Sequence, residues 1–164
     1  MKIFKLAKTS FLLWLTFLFI NIFFIILIIL APIFQKRWPS LSSAIYLIFT
    51  PFCHQIEDRC FSFKNLPLAV CSRCFGIIVG FLLGITTYPI FKRQKPIKTP
   101  NIGWFVGASM PMAIDLLGNI CHLWSSSNWL RFIIGSIWGI LLPFYFLPAV
   151  FAFGNKNTNQ INSF

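Results

Sequence analysis

The sequence predicts an all-α fold: a polytopic membrane helix bundle of four transmembrane helices plus a short interfacial or re-entrant helix. Of its 164 residues, 57% are hydrophobic and only 10% are charged, whereas a soluble domain carries about 25% charged residues. Uncharged apolar runs recur at lengths that cross about 30 Å of hydrocarbon as helices. Lys and Arg cluster at the ends of these runs, where they act as topology signals. Residues 1–164 are therefore expected to form a single membrane domain in contact with the lipid bilayer.

The formal net charge of +11 also needs an explanation, since a strongly basic chain can bind nucleic acid. The sequence has neither a basic helix nor basic residues interleaved with aromatic ones, as nucleic-acid-binding proteins do. We expect no nucleic-acid partner.

The first span follows three lysines, and its apolar core covers about residues 10–30. A cleaved signal peptide usually has a shorter apolar region, about 7–15 residues, and a small-residue cleavage site. Because Ala31-Pro32 makes a poor site, we expect an uncleaved helix that ends at Pro32. The next apolar segment, Leu41–Phe52, is too short to span and is predicted to be the interfacial or re-entrant helix. It should stop at Thr50-Pro51, because a residue before proline disfavours helix.

Three further spans are predicted at about residues 74–91, 102–123 and 129–153. A Cys/His loop, residues 51–74, precedes the second span, and a basic loop, residues 92–98, follows it. Pro111 and Asp115 interrupt the third span. Asn128 is expected to cap the fourth helix.

The basic residues predict the orientation of these spans in a bacterial or archaeal cytoplasmic membrane. With both termini in the cytoplasm, eight basic residues lie inside and six outside, and those in short segments next to the spans count most. The Cys/His loop, Cys121, His122 and Arg131 then share one extracytoplasmic face. The inside set is Lys2, Lys5, Lys8, Lys92, Arg93, Lys95, Lys98 and Lys156, and the outside set is Lys36, Arg37, Arg59, Lys64, Arg73 and Arg131.

Glycines recur at a spacing of four in three of the predicted spans. Small residues let helix backbones approach closely in lipid, so we expect a tight bundle. Glycine-rich faces also offer contact surfaces for a homo-oligomer or another membrane partner. The residues are Gly76, Gly80 and Gly84 in the second span, Gly103 and Gly107 in the third, and Gly135 and Gly139 in the fourth.

Asp115 is the only acidic residue in a predicted span. A charge near the bilayer centre costs about 2.5–3.5 kcal/mol on insertion scales, so Asp115 is expected to face inward with a partner. Arg131 is the best available counter-ion on the fourth helix. Asn119 and His122 follow Asp115 along one helical stripe. These residues predict either a structural pair, Asp115 with Arg131, or a polar pocket that includes Asn119 and His122.

The Cys/His loop holds four of the five cysteines. Cys71 and Cys74 have the CxxC spacing that lets two thiolates bind one metal ion or form one disulfide. Together with Cys53 and His54 they supply three sulfurs and one nitrogen for a tetrahedral site. Cys60 would take the fourth ligand position if the His54 side chain points away from the ion that Cys53 binds.

Several interpretations of these residues stay open. A metal site, with zinc as the expected ion, suits mixed sulfur and nitrogen ligands. A thiol–disulfide oxidoreductase suits Cys71 and Cys74 at a helix start, where the helix dipole and Arg73 lower a thiol pKa; its electron partner would be a quinone or a partner thiol. Structural disulfides suit an oxidising compartment, although five cysteines leave one unpaired, for which Cys121 is the candidate. A small transporter or channel subunit would depend on Asp115, Asn119 and His122.

The motif CHQ-x3-R-x-F, followed by LPLAVCSRCFGIIVG, resembles that of a family of small uncharacterised prokaryotic membrane proteins, a domain of unknown function. The resemblance covers about residues 52–139 and implies Cys53, His54, Cys71 and Cys74 as the working set. Cys60 stands where the family pattern has Ser, and Leu116 stands where the pattern has Gly after the Asp. The matching residues are Cys53, His54, Gln55, Arg59, Phe61, Pro67, Cys71, Arg73, Cys74, Gly76, Gly80, Asp115, Asn128 and Arg131.

The architecture is also similar to that of quinone-linked membrane enzymes that generate disulfides, a likeness of fold alone. Those enzymes carry a second cysteine pair, which here would be Cys53 with Cys60 or would involve Cys121. No hydrolytic set is evident, since Glu57 and Asp58 are expected to be solvated loop charges. The leading hypothesis is therefore a four-span membrane protein whose extracytoplasmic loop binds a metal.

Overall fold

A computed structural model describes residues 2–92 and 100–161 of the chain, with side chains over residues 10–91 and 100–151. Most of the predicted basic loop at residues 92–98 lies outside the described residues. The same holds for the side chains of Lys2, Lys5, Lys8, Lys92 and Lys156. The predicted orientation of the termini stays a prediction.

The described chain is mostly helical, and its helices occur in the predicted order. The first helix, α1, spans Lys2–Phe34, and α2 spans Pro39–Phe49. After the Cys/His loop come α3 at Ser72–Lys92, α4 at Ile102–Ile120 and α5 at Asn128–Ile161. α1 continues past Pro32 to Phe34, because a proline removes a hydrogen bond to the preceding turn and leaves the residues after it free to stay helical.

The prediction of an all-α fold missed a small β-hairpin inside the Cys/His loop. Strand β1, Cys60–Phe63, pairs antiparallel with β2, Leu66–Cys71, and Cys60 lies opposite Cys71. The two-residue turn between the strands, Lys64-Asn65, has φ values of 51° and 64°. Positive φ at both central residues is what a tight hairpin turn requires, and Asn tolerates it. A short 3₁₀ turn, Glu57–Arg59, leads into β1.

Three helical segments of the described chain are long and apolar enough to cross a membrane: Ser10–Phe34, Ser72–Phe91 and Asn128–Phe151. α4 is not among them, so the structure does not establish the predicted fourth span. Asp115 and Asn119 lower the apolar character of α4, and Pro111 lies inside it. α2 is a shorter apolar helix, as predicted.

The closest helix contact joins α3 to α5 along their glycines. A Cβ atom added at Gly80 would lie 2.2 Å from the Ser136 carbonyl oxygen, and one at Gly139 would lie 2.3 Å from the Ile77 carbonyl oxygen. Such distances leave no room for any side chain, so glycine is required for this approach. By contrast, an added Cβ at Gly107 would meet nothing within 4 Å.

The remaining elements pack through larger side chains. α1, α2 and β2 enclose one apolar cluster that includes Ile28, Ile45 and Val70. Near the other end of the bundle, Ile85 and Tyr88 of α3 and Leu147 of α5 form a second cluster. α4 lies against α5, where the Trp138 indole donates to Ser109 Oγ at 2.9 Å.

Candidate functional site

Three of the predicted metal ligands come together in the structure. The Sγ atoms of Cys53, Cys71 and Cys74 all lie within 4.8 Å of one another. A zinc–sulfur bond is about 2.3 Å, which places two sulfurs of one tetrahedral site about 3.8 Å apart. The three sulfurs therefore fit a single ion of the soft or borderline class that thiolates select.

Local structure explains why these cysteines meet. Cys53 follows the end of α2, where its backbone N–H donates to the Phe49 carbonyl at 2.9 Å. Cys71 is the last residue of β2, and Cys74 lies in the first turn of α3. The strand therefore passes directly into the helix between the two cysteines of the CxxC motif, and α2 delivers the third.

Gln55 forms hydrogen bonds that connect the residues around Cys53 to α2 and to the hairpin. Its side-chain amide nitrogen donates to the Tyr46 carbonyl at 2.7 Å and to the Ala69 carbonyl at 2.8 Å. Gln55 has a φ of 50°, a left-handed conformation that costs a non-glycine residue free energy. The Tyr46 hydroxyl donates to the Pro67 carbonyl and adds a second link between α2 and β2.

Hydrogen bonds around Cys53 favour its thiolate. The side chain of Cys71 and then that of Cys74 donate to it, and the backbone N–H groups of Cys71, at 3.1 Å, and Gln55 also contribute. These donors lower the pKa of the Cys53 thiol well below its ordinary value, although burial acts in the opposite direction. Thiolates are the form that binds metal ions, so a Cys53 held as the thiolate is compatible with metal binding.

The two other predicted ligands lie outside the three-cysteine group. His54 is exposed. Cys60 is buried, and its thiol donates to the Ile56 carbonyl at 3.2 Å. Burial, followed by the nearby Cys71, Cys53 and Glu57 charges, raises the pKa of Cys60 to about 12. Cys60 therefore stays protonated at neutral pH.

None of the five cysteines, all within the described part of the chain, forms a disulfide. Cys121, the candidate for an unpaired cysteine, is exposed at the end of α4.

The structure pairs Asp115 with Arg73 instead of Arg131. Arg73 lies between the two CxxC cysteines, and its guanidinium forms a salt bridge with the Asp115 carboxylate. Asp115 has an exposed fraction of only 4%. Its carboxylate also accepts hydrogen bonds from the Ser126 hydroxyl and, at 3.2 Å, from the Asn119 amide. The expected inward-facing acid with a partner is therefore present, but its counter-ion comes from α3 because the start of that helix faces Asp115.

Arg131 belongs to the same polar network through neutral partners. It donates to Asn119 Oδ1 at 2.9 Å and to Asn128 Oδ1 at 3.3 Å. Asn128 in turn donates to the Cys60 carbonyl at 3.1 Å. The network therefore connects the start of α5 to the hairpin. His122 follows the end of α4 with a φ of 56°, off the predicted helical stripe, and lines the adjoining polar cavity.

An apolar cavity of about 280 Å³ adjoins the cysteine group. Cys53 and Cys74 line it together with apolar side chains of α1, α2 and α3, including Phe24, Ile48 and Ile78. Two of the three sulfur-bearing residues therefore face a space suited to an apolar molecule.

Apart from the place of Gln55 in the CHQ motif, no sequence pattern predicted its contacts with the Tyr46 and Ala69 carbonyls. The role of Ser126 was also missed, because a serine in a polar turn is ordinary. From the sequence, Arg73 is assigned to the family motif and to the charge next to the CxxC thiols, but not to the salt bridge with Asp115.

Apolar helices of spanning length and a three-cysteine group at one end of them define an integral membrane protein with a potential metal centre. The chain belongs to the family described as "Predicted membrane protein (DUF2085)", whose model matches residues 53–145. That range contains the CHQ and CxRC motifs, Asp115 and Arg131.

Two archaeal relatives were found. An uncharacterized protein of Methanocaldococcus jannaschii is 38% identical over 134 residues, which cover 78% of this chain and 86% of the relative. An uncharacterized protein of Methanothermobacter thermautotrophicus is 33% identical over 94 residues, which cover 56% of this chain and 81% of the relative. No solved structure matches the chain.

Proposed function

We propose that this membrane protein binds a metal ion, zinc in the first instance, through Cys53, Cys71 and Cys74. The observation that carries the proposal is the approach of their three Sγ atoms to within 4.8 Å of one another. The N–H donors on Cys53 support it, because hydrogen bonds to a ligand orient it and tune its basicity. The bound ion would hold the hairpin and the start of α3 together.

The fourth ligand in this proposal comes from His54, from Cys60 or from a small molecule. His54 is adjacent to Cys53 and exposed, so a change of rotamer meets little resistance. Cys60 lies opposite Cys71 in the hairpin, but it would have to release its proton against a raised pKa. His54 is therefore the favoured fourth ligand.

Metal analysis of the purified full-length protein tests this proposal. About one zinc ion per chain is expected after purification in detergent without chelator, in line with a single tetrahedral site. Cys71→Ser should remove most of it, and Cys121→Ser, a matched change at an exposed cysteine outside the group, should remove none. Protein without metal, or equal metal in both variants, would reject the proposal.

The apolar cavity beside Cys53 and Cys74 supports a second candidate function, a membrane thiol–disulfide oxidoreductase with a quinone as electron acceptor. In that reaction Cys71 and Cys74 lose two protons and two electrons as their S–S bond forms. The quinone takes up the two protons and the two electrons and becomes a hydroquinone. Thiol counting before and after reduction separates the two functions. A reducible Cys71–Cys74 bond in metal-free protein favours the oxidoreductase, and masked but unoxidised thiols in zinc-loaded protein favour the metal site.

We further propose that α4 forms a fourth span in a single membrane domain and that the cysteine group faces the extracytoplasmic side of a prokaryotic cytoplasmic membrane. The Arg73–Asp115 salt bridge supports the span, since a paired acid costs less to bury than an isolated one. Cysteine labelling from each side of the membrane tests the orientation, and the exposed Cys121 is the suitable reporter.

A further inference from the structure

A second, polar cavity of about 460 Å³ lies at the start of α5. Its walls come from the segment before the hairpin, the end of α4 and the α4–α5 turn. The Trp124 ring closes one side by packing on Gly118, where an added Cβ would lie only 2.1 Å from the ring. The lining includes Asp58, Arg59, Asn119, His122, Asn128 and Arg131.

Arg131 is the buried basic residue among those that line this cavity. Its exposed fraction is 6%, and its hydrogen-bond partners, Asn119 and Asn128, are neutral amides. The one salt bridge among the described residues joins Arg73 to Asp115. Arg131 is therefore a buried cation without a carboxylate in direct contact, which is an expensive arrangement unless an anion is bound.

The surrounding charges favour an anion as well. Arg59 lines the same cavity and repels the Arg131 guanidinium electrostatically, as does Arg73, whereas Asp115 attracts it. The Asp115 charge is already shared with Arg73 and with the Ser126 hydroxyl. Asp58 offsets one of the two arginine charges on the wall, so a net positive charge remains.

The donors are arranged for an oxyanion. Arg59 and Arg131 both line the cavity, and a guanidinium carries several N–H donors in a planar fork that matches the oxygen spacing of phosphate. Arg131 uses two of these donors for Asn119 and Asn128. α5 begins at Asn128, and the preceding Ser127, instead of the predicted Asn128, caps it by accepting the Leu130 N–H on its Oγ at 3.3 Å. At this end the helix dipole adds a partial positive charge. The same end of α5 begins a segment long enough to span the membrane, so the cavity lies where a spanning helix reaches the level of lipid headgroups.

We propose that this cavity binds a phosphoryl group, supplied either by free phosphate or by the headgroup of an anionic phospholipid. Arg131 and Arg59 hold its oxygens, and the α5 start contributes backbone N–H groups. The proposal is independent of the metal site, since none of the three grouped cysteines lines this cavity.

Binding to the full-length protein in a neutral detergent tests the proposal in two arms. Calorimetric titration with inorganic phosphate, against chloride at equal ionic strength, measures the free anion. Native mass spectrometry with phosphatidylglycerol, against an uncharged glycolipid of the same chain length, measures the headgroup. Binding in either arm supports the proposal and identifies the source, and binding in neither arm overturns it.

Three variants test the assignment to these arginines. Arg59→Gln should weaken binding about tenfold or more, as the loss of a charge-assisted hydrogen bond does, and it changes an exposed residue with little risk to folding. Arg131→Lys keeps the charge but removes the fork, so it should also weaken binding. Arg37→Gln, which removes an exposed arginine from the α1–α2 connection, should bind as the unchanged protein does. Equal losses in Arg59→Gln and Arg37→Gln would overturn the assignment.

Discussion

Arg73 and Asp115 form a salt bridge between α3 and α4, and Arg73 lies between two of the three grouped cysteines. The CxRC motif therefore places two cysteines of the group on either side of a residue that forms a salt bridge to the neighbouring helix. Through Asn119 and Ser126 the same carboxylate reaches the α4–α5 turn. One short motif thus connects the proposed metal centre to the polar cavity.

Breaking this pair should destabilise the protein strongly. In Asp115→Asn, Arg73 keeps a largely buried charge, with an exposed fraction of 16%, and loses its counter-ion. Removing one partner of a buried pair costs about 3–5 kcal/mol. A lower thermal unfolding midpoint in detergent is expected, whereas Glu57→Gln, at an exposed carboxylate outside the polar cavity, should leave the midpoint unchanged.

The double variant Asp115→Asn with Arg73→Gln checks that the two residues act as a pair. Its loss should be smaller than the sum of the two single losses, because the second change removes the stranded charge. Additive losses would mean that the residues stabilise the fold independently.

Gln55→Ala should loosen the cysteine group without touching a ligand. The change removes hydrogen bonds to the Tyr46 and Ala69 carbonyls and should cost about 1–3 kcal/mol in unfolding free energy. A lower metal content or affinity should accompany it, because Cys53 loses its fixed position. Gln35→Ala, at an exposed residue of the α1–α2 connection, serves as the control, and equal effects in both variants would contradict the assigned role.

Gly80→Ala should separate α3 from α5. The new methyl group would lie 2.2 Å from the Ser136 carbonyl oxygen, and the overpacking should cost about 1–3 kcal/mol. Gly107→Ala is the matched control, since its methyl group meets nothing within 4 Å and alanine favours a helix by about 0.5–1 kcal/mol. The midpoint temperature of thermal unfolding should therefore fall for Gly80→Ala and stay the same or rise for Gly107→Ala.

Alkylation at pH 8 should distinguish the cysteines of the apo protein. Cys121 is exposed and should react first. Cys60 is buried and has its pKa raised to about 12, so its thiolate is scarce at pH 8 and increases only as the pH approaches that value. Mass mapping of a maleimide label measures the order, and early labelling of Cys60 would contradict its burial.

Composition and charge placement predicted most of the helical architecture. The long apolar runs gave α1, α3 and α5 because length and apolarity alone qualify a helix to span. The predicted span at about residues 102–123 coincides with the helix α4, Ile102–Ile120, but α4 is not among the helices that are long and apolar enough to span. The compensation of its polar groups by Arg73 and Ser126 is visible only in three dimensions. Phe61 and Phe63 alternate with the polar Ser62 ahead of the turn residues Lys64-Asn65, a pattern that is typical of a β-hairpin. The prediction of an all-α fold overlooked it because most of the chain is apolar.

The CxxC spacing predicted Cys71 and Cys74, because CxxC at a helix start is a local arrangement. Cys53 was predicted from its ligand type alone, together with His54, and the structure groups Cys53 but not His54 with them. The partner of Asp115 is a different problem. Arg73 and Arg131 both lie at the starts of helices, and only the packing of α3 against its neighbours decides between them. A salt bridge between residues that are far apart in the chain produces no pattern in residue spacing or periodicity.

The order of the elements along the chain has a consequence for biogenesis. Cys53, Cys71 and Cys74 all precede α4, so a nascent chain that has completed the hairpin and the first turn of α3 already carries all three grouped cysteines. Asp115 arrives later and neutralises Arg73, and Arg131 completes the polar cavity last. During synthesis, which proceeds from the N-terminus, metal capture would therefore precede closure of the polar cavity.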